Sequence, residues 1–137
     1  MAHLKKYIIE VKDTVNCLAH SLIISVAKVN IDPKYESYLI GNKIRPVIRN
    51  LLQTTSVDLP KGAGILELDR FQEHFREYKI SVCQCFSYEN ILFEGQVESS
   101  KRLNLIYDYV ERHYHVMTKP TSGKAKPYVC SACFNVV

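Results

Sequence analysis

At 137 residues, with 47% hydrophobic and 23% charged side chains, the chain is long enough to bury one ordinary core without disulfide or metal staples, and its composition excludes disorder. No run approaches the roughly 20 apolar residues of a membrane span and no Arg-rich or apolar leader opens the chain, so a soluble intracellular protein, cytoplasmic or nuclear and without a membrane partner, is expected. A net charge of +4 permits contact with nucleic acid without arguing for it, because a dedicated binder concentrates its basic charge in a patch.

Residues 1–11, with Tyr7, Ile8, Ile9 and Val11, read as a short strand or extended lead-in that the polar cluster Asp13 to Asn16 breaks. A helix follows, to about Asn30. Leu18, Ala19, Leu22, Ile23, Val26 and Ala27 share one face, and Ile24 and Val29 widen the apolar stripe beyond that of a surface helix, so the helix is expected in the middle of the fold. Cys17 sits in its first turn, among unpaired backbone N–H groups at the positive end of the helix dipole, where a thiolate is favoured over a thiol. The same residue also reads as a small buried hydrophobe.

Asn30-Ile31-Asp32-Pro33 ends that helix, and Tyr35, Tyr38 and Leu39 suggest a short second one closed at Gly41-Asn42. Ile44, Val47, Ile48, Leu51 and Leu52 then mark an amphipathic helix that tolerates Pro46 in its first turn. Lys43, Arg45 and Arg49 lie mostly off its apolar face and read as its solvated side, with no role assigned. Pro60 to Gly64 is a loop, and a fourth helix is expected from about Ile65 to Tyr78 with Leu68, Phe71 and Phe75 inward.

At Lys79 the period changes to two. Ile80, Val82 and Phe86 alternate with Ser81, Cys83 and Cys85, which predicts a strand with both cysteines on one face. Ile91 to Glu94, Leu103 to Val110 and Tyr114 to Thr118 read as three more strands. Helices followed by consecutive strands predict an α+β domain over residues 1–118, its antiparallel sheet packed on the central Cys17 helix. Residues 119–137 form a basic loop and a Cys-x-x-Cys tail.

A thiol peptidase needs a cysteine activated by a histidine, and Cys17 on a buried helix with His113 at the start of a strand offers that layout. Asp13-Thr14-Val15-Asn16-Cys17-Leu18-Ala19 resembles the Asp-Gly-x-Cys-Leu-Phe-Arg word of ovarian-tumour (OTU) cysteine peptidases, and His113-Tyr114-His115-Val116 resembles the word that holds their histidine. Asn-Cys-Leu-Ala with its apolar helix, the Phe71-Gln72 helix, Leu92-Phe93-Glu94-Gly95, the Leu105 to Val116 region and the closing Tyr128-Val129-Cys130-x-x-Cys133 together resemble the N-terminal region of protein-primed family B DNA polymerases of Maverick/Polinton elements and related viruses.

The resemblance implies a papain-like, OTU-like fold. It implies Cys17 as nucleophile, His113 as general base, backbone N–H groups around Val15 to Cys17 as oxyanion hole, and no cofactor for catalysis. The substrate implied is an isopeptide bond of a ubiquitin-like protein or a viral polyprotein, cleaved by an active enzyme or met by a degenerate descendant. The chain departs from the family words at Thr14, where a glycine is usual, at Ala19, where an aromatic is usual, and at His115, where an Asp or Asn is usual. The orienting carboxylate for His113 is therefore expected from Asp13 or Asp108.

Cys130 and Cys133 have the two-residue gap that lets two thiolates hold one tetrahedral zinc, and a second pair must close the site. Either Cys83 and Cys85 supply it, making a structural zinc site, or the pair is half of a finger whose remaining ligands lie past Val137. A reading from another class is a non-enzymatic viral or mobile-element module that binds nucleic acid or protein through Lys119 to Lys126 and a zinc-supported tail.

Overall fold

A computed structural model of the chain describes residues 8–12, 15–40, 42–59, 64–84, 91–108 and 110–118. In chain order these form β1 (Ile8–Ile9), α1 (Cys17–Val29), α2 (Tyr35–Leu39), α3 (Ile44–Thr55), α4 (Ile65–His74), β2 (Lys79–Gln84), β3 (Ile91–Glu94), β4 (Arg102–Asp108) and β5 (His113–Met117). The switch from helical to alternating periodicity at Lys79 is the switch from helices to sheet, and the domain is α+β. No helix among the described residues is long and apolar enough to cross a membrane.

The five strands lie in the order β1-β5-β4-β2-β3. The sheet is mixed, which corrects the expectation of an antiparallel one: β2 and β4 run parallel, with Ile80 opposite Leu103 and Val82 opposite Leu105. β3 turns back along the outer side of β2, and residues 95–101 then carry the chain past β2 to its inner side. Two reversals restore the original direction, so β4 is laid down parallel to β2 with no helix among the described residues between them. Local alternation reports which face a side chain takes, not which strand lies next to it.

One sheet face, with Ile80, Val82, Leu103, Leu105, Tyr114 and Val116, packs against Leu18 and Leu22 of α1, Ile48 and Leu51 of α3 and Leu68 and Phe71 of α4. Burying side chains such as Phe71 and Leu22 contributes about 1.5–3 kcal/mol each. Ser81, Cys83, Asn104, Ile106, Asp108, His113 and Met117 alternate onto the other face and are buried as well. α1 is buried almost all round, with Ser21 and Ser25 inside alongside its apolar residues. It ends in a Schellman arrangement in which Ile31 takes a left-handed φ of 51° while Ile31 N–H donates to Lys28 O and Asp32 N–H to Ala27 O.

α4 stops at His74, four residues before the expected end, and Gln72 explains why. Its amide donates to the carbonyls of Phe75 at 3.1 Å and Tyr78 at 2.7 Å, and its Oε1 accepts from Ile80 N–H at 2.8 Å. One buried side chain thus satisfies the turn that ends the helix and one amide, Ile80 N–H, at the start of β2. Gly95 completes the join: its N–H donates to Ile80 O, and a Cβ there would lie 1.7 Å from Gln72 Oε1.

Gln72→Ala should cost about 2–3 kcal/mol in urea unfolding, since it orphans buried backbone groups. Gly95→Ala should cost a similar amount by expelling the same side chain, and the double variant should be little worse than Gln72→Ala alone, a coupling of about 2–3 kcal/mol. Simple additivity of the two costs would show that Gly95 serves some other contact.

Candidate active site

α1 begins at Cys17, with Asn16 as an N-cap whose side chain makes no capping hydrogen bond. The Cys17 Sγ accepts a hydrogen bond from the backbone N–H of Tyr114, 97 residues away, at 3.4 Å. One helical turn later Ser21 Oγ donates to Tyr114 O, also at 3.4 Å. Both backbone polar groups of Tyr114 are therefore met by α1 side chains at i and i+4, and the head of the helix is registered against β5 at Tyr114, while the side chain of the neighbouring His113 alternates onto the opposite sheet face. An N–H aimed at sulfur also stabilises negative charge developing there. The thiol is enclosed, with Cys17 only 5% exposed.

His113 follows Arg112, whose left-handed φ of 54° closes the β4–β5 turn, and it is buried at 9% exposure. Its Nε2–H donates to the main-chain carbonyl of Val11. Two residues along the same strand, His115 Nδ1 accepts from the N–H of Val11 at 3.1 Å. The β1–β5 ladder is registered at Ile8 opposite Met117 and Ile9 opposite Val116, and beyond it these two rings, 4.5 Å apart, take the backbone groups of Val11. A carbonyl accepts only from a protonated nitrogen and an amide donates only to a lone pair, so His113 carries its proton on Nε2 and His115 is neutral at Nδ1. Nδ1 of His113 is left as the nitrogen that can take a proton.

The group that orients the His113 ring is thus a main-chain carbonyl, on a residue that the sequence reading passed over. Asp108 does lie directly across from His113 in the β4–β5 register, but its Oδ1 accepts from the N–H groups of Val110 at 3.0 Å and Glu111 at 3.3 Å and fastens the turn. Asp13 lies outside the described residues. Val11 carries no chemical signal in its side chain, so no residue-type pattern would have found it.

A cleft of about 560 Å³ opens beside the head of α1, lined by Asn16 and His20 and by Ile44, Arg45, Ile48 and Arg49 of α3. Arg45 and Arg49 are exposed one turn apart on its wall.

Of the four cysteines expected to hold zinc, only Cys83 is among the described residues; Cys85, Cys130 and Cys133 lie outside them. Cys83 is 1% exposed in β2, and burial pushes its thiol up from the usual range. No three His, Cys, Asp or Glu side chains come together as a metal site among the described residues.

Comparison with known protein families, with curated proteins and with solved structures finds no match to this chain.

Burial, and secondarily the neighbouring His113, hold the His115 imidazole below its usual 6.5, against the opposing pull of Glu10 and Asp108. A depressed pKa means that the unfolded chain takes the proton first, so this contribution to stability is present above about pH 6.5 and is lost as pH falls through the folded-state value. The urea-unfolding free energy should therefore decline between about pH 7 and pH 5, and less steeply in His115→Asn, which keeps an acceptor but does not titrate. Equal slopes for the two proteins would exclude His115 as the source.

Proposed function

We propose that this chain is an OTU-like, papain-related cysteine peptidase domain of the kind borne by protein-primed family B DNA polymerases of mobile elements and viruses. Cys17 is its nucleophile and His113 its general base. The observation that carries this reading is the contact between Cys17 Sγ and Tyr114 N–H, which joins the two sequence words across the fold at neighbouring residues. The Val11 carbonyl on His113 Nε2 supports it further, as the orienting third member that a nucleophile and base require.

In this reading the His113 ring, which leaves β5 on the face away from α1, swings round the sheet edge to bring Nδ1 to the thiol and take its proton, and the Cys17 sulfur attacks the carbonyl carbon of an isopeptide bond in a ubiquitin-like conjugate or of a peptide bond in a viral polyprotein. Backbone N–H groups around Val15 to Cys17 bear the oxyanion. Collapse breaks the C–N bond as His113 returns the proton to the leaving amine. Water, deprotonated by His113, then hydrolyses the thioester, releasing a carboxylic acid and the free thiol. No metal takes part, and the cleft between α1 and α3 gives the substrate its approach.

The burial of Cys17 favours a second reading, in which the thiol is a packed side chain of an inherited scaffold. The domain is then a non-enzymatic module, binding nucleic acid or protein through Lys119 to Lys126 and the Cys130/Cys133 tail, which lie outside the described residues.

Labelling with iodoacetamide and with a ubiquitin-type thiol electrophile, read at each cysteine by mass spectrometry, separates the two. The peptidase reading expects Cys17 to be modified in the folded protein well below pH ~8.5, at a rate that falls at least about tenfold in His113→Ala, while Cys83 stays unmodified until the protein unfolds. Reaction of Cys17 only upon unfolding would leave the second reading standing.

A further inference from the structure

Val11 is 3% exposed, and its backbone groups lie past the registered β1–β5 ladder. Buried N–H and C=O groups without partners are costly, so whatever replaces the ladder there governs whether the segment stays docked. Two histidines from one strand replace it, and they do so with opposite polarity. His113 donates to the carbonyl of Val11, and His115 accepts from its N–H.

The two halves of this clamp answer a proton differently. Nε2 of His113 carries hydrogen in the tautomer present and in the imidazolium alike, so protonation at Nδ1 leaves its bond to Val11 intact. His115 holds Val11 with a lone pair, and a proton on Nδ1 turns that acceptor into a donor facing another donor. We propose that His115 is a positioning residue that acts on His113 through the main chain of Val11, and that its protonation releases the Val11 segment as a proton-sensitive latch.

The charged and titratable groups facing His115 are Glu10 from the β1 side, Asp108 from β4 and His113 on its own strand. The carboxylates favour the proton that opens the latch; burial and the second imidazole resist it, so release lies on the acid side of an ordinary histidine. Among the described residues, β1 contributes only two residues to its pairing with β5, at the sheet edge. Once Val11 leaves, the His113 ring loses its orienting acceptor. The effect on reactivity at Cys17 rests on the peptidase reading; the latch itself does not.

The test is amide hydrogen exchange of the intact protein followed by NMR at about pH 7.5 and pH 5.5, in the wild type, in His115→Asn and in His115→Leu, with the Leu22 amide as reporter of global opening. Protection factors, corrected for the intrinsic pH dependence of exchange, should fall at Val11 by about tenfold or more at the lower pH in the wild type, and by clearly more than the decline at Leu22 that follows global stability. His115→Asn should keep Val11 protected at both values, and His115→Leu should leave it unprotected at both.

Protection of Val11 that is independent of pH in the wild type, or a pH response retained by His115→Asn, would overturn the proposal, and the wild-type arm decides even if a variant fails to fold. Iodoacetamide rates at Cys17, measured in parallel, should show an acid-side loss in the wild type that His115→Asn lacks. If Cys17 is inert throughout while Val11 responds to pH as expected, the peptidase reading fails and the latch stands.

Discussion

The registration of α1 against β5 is the constraint on which the remaining geometry depends. A helix can slide or rotate on a sheet while keeping its apolar burial nearly constant, because hydrophobic contact is non-directional. The hydrogen bonds from Tyr114 N–H to Cys17 Sγ and from Ser21 Oγ to Tyr114 O are directional, and their i, i+4 spacing matches one turn of α1 to one residue of β5. Sliding by a residue would break both. The cysteine therefore heads the helix, and the histidine opens the strand, in a fixed relation that neither element could impose alone.

That relation also settles how the chain enters α1. Past the β1–β5 ladder, the side chains of His113 and His115 occupy the backbone groups of Val11 where ladder bonds would otherwise lie. The same strand thus holds the helix through its backbone and the lead-in through its side chains. His113 is coupled to the lead-in by construction: an imidazole that satisfies a buried carbonyl is itself oriented by that carbonyl.

Much of this was legible in the residues, and what was not follows from the kind of information a sequence holds. The central position of α1 was readable because its apolar stripe is too wide for a surface helix, and the break at Lys79 because the period of hydrophobicity changes there. The mixed sheet was not, since alternation along β2 and β4 is the same whether their neighbours run parallel or antiparallel. The early end of α4 was hidden because Phe75 and Tyr78 continue an apolar pattern, while the termination is imposed by Gln72 bonding forward to Ile80. At the site, Cys17 and His113 stood out by residue type, and His115 as an unexpected residue in a familiar word. Val11 could not stand out, because it contributes only main-chain atoms; nor could Ser21, whose hydroxyl looks like any small residue on a buried helix.

Magnitudes show that stability and site geometry are carried by different residues. Leu18, Leu22, Phe71, Leu103 and Leu105 are fully buried and together contribute on the order of 10 kcal/mol of hydrophobic burial. The two bonds at 3.4 Å to Tyr114 are long, and a typical neutral hydrogen bond adds only about 1 kcal/mol net. Losing them would loosen the register without unfolding the domain. Gln72 and the histidine clamp show the same division at opposite ends of the sheet. Both satisfy backbone groups with side chains, but an amide has no proton to gain near neutral pH, whereas His115 does. A glutamine at the join between α4 and β2 gives a fixed turn, and a histidine at the entry to α1 gives one whose hold depends on protonation.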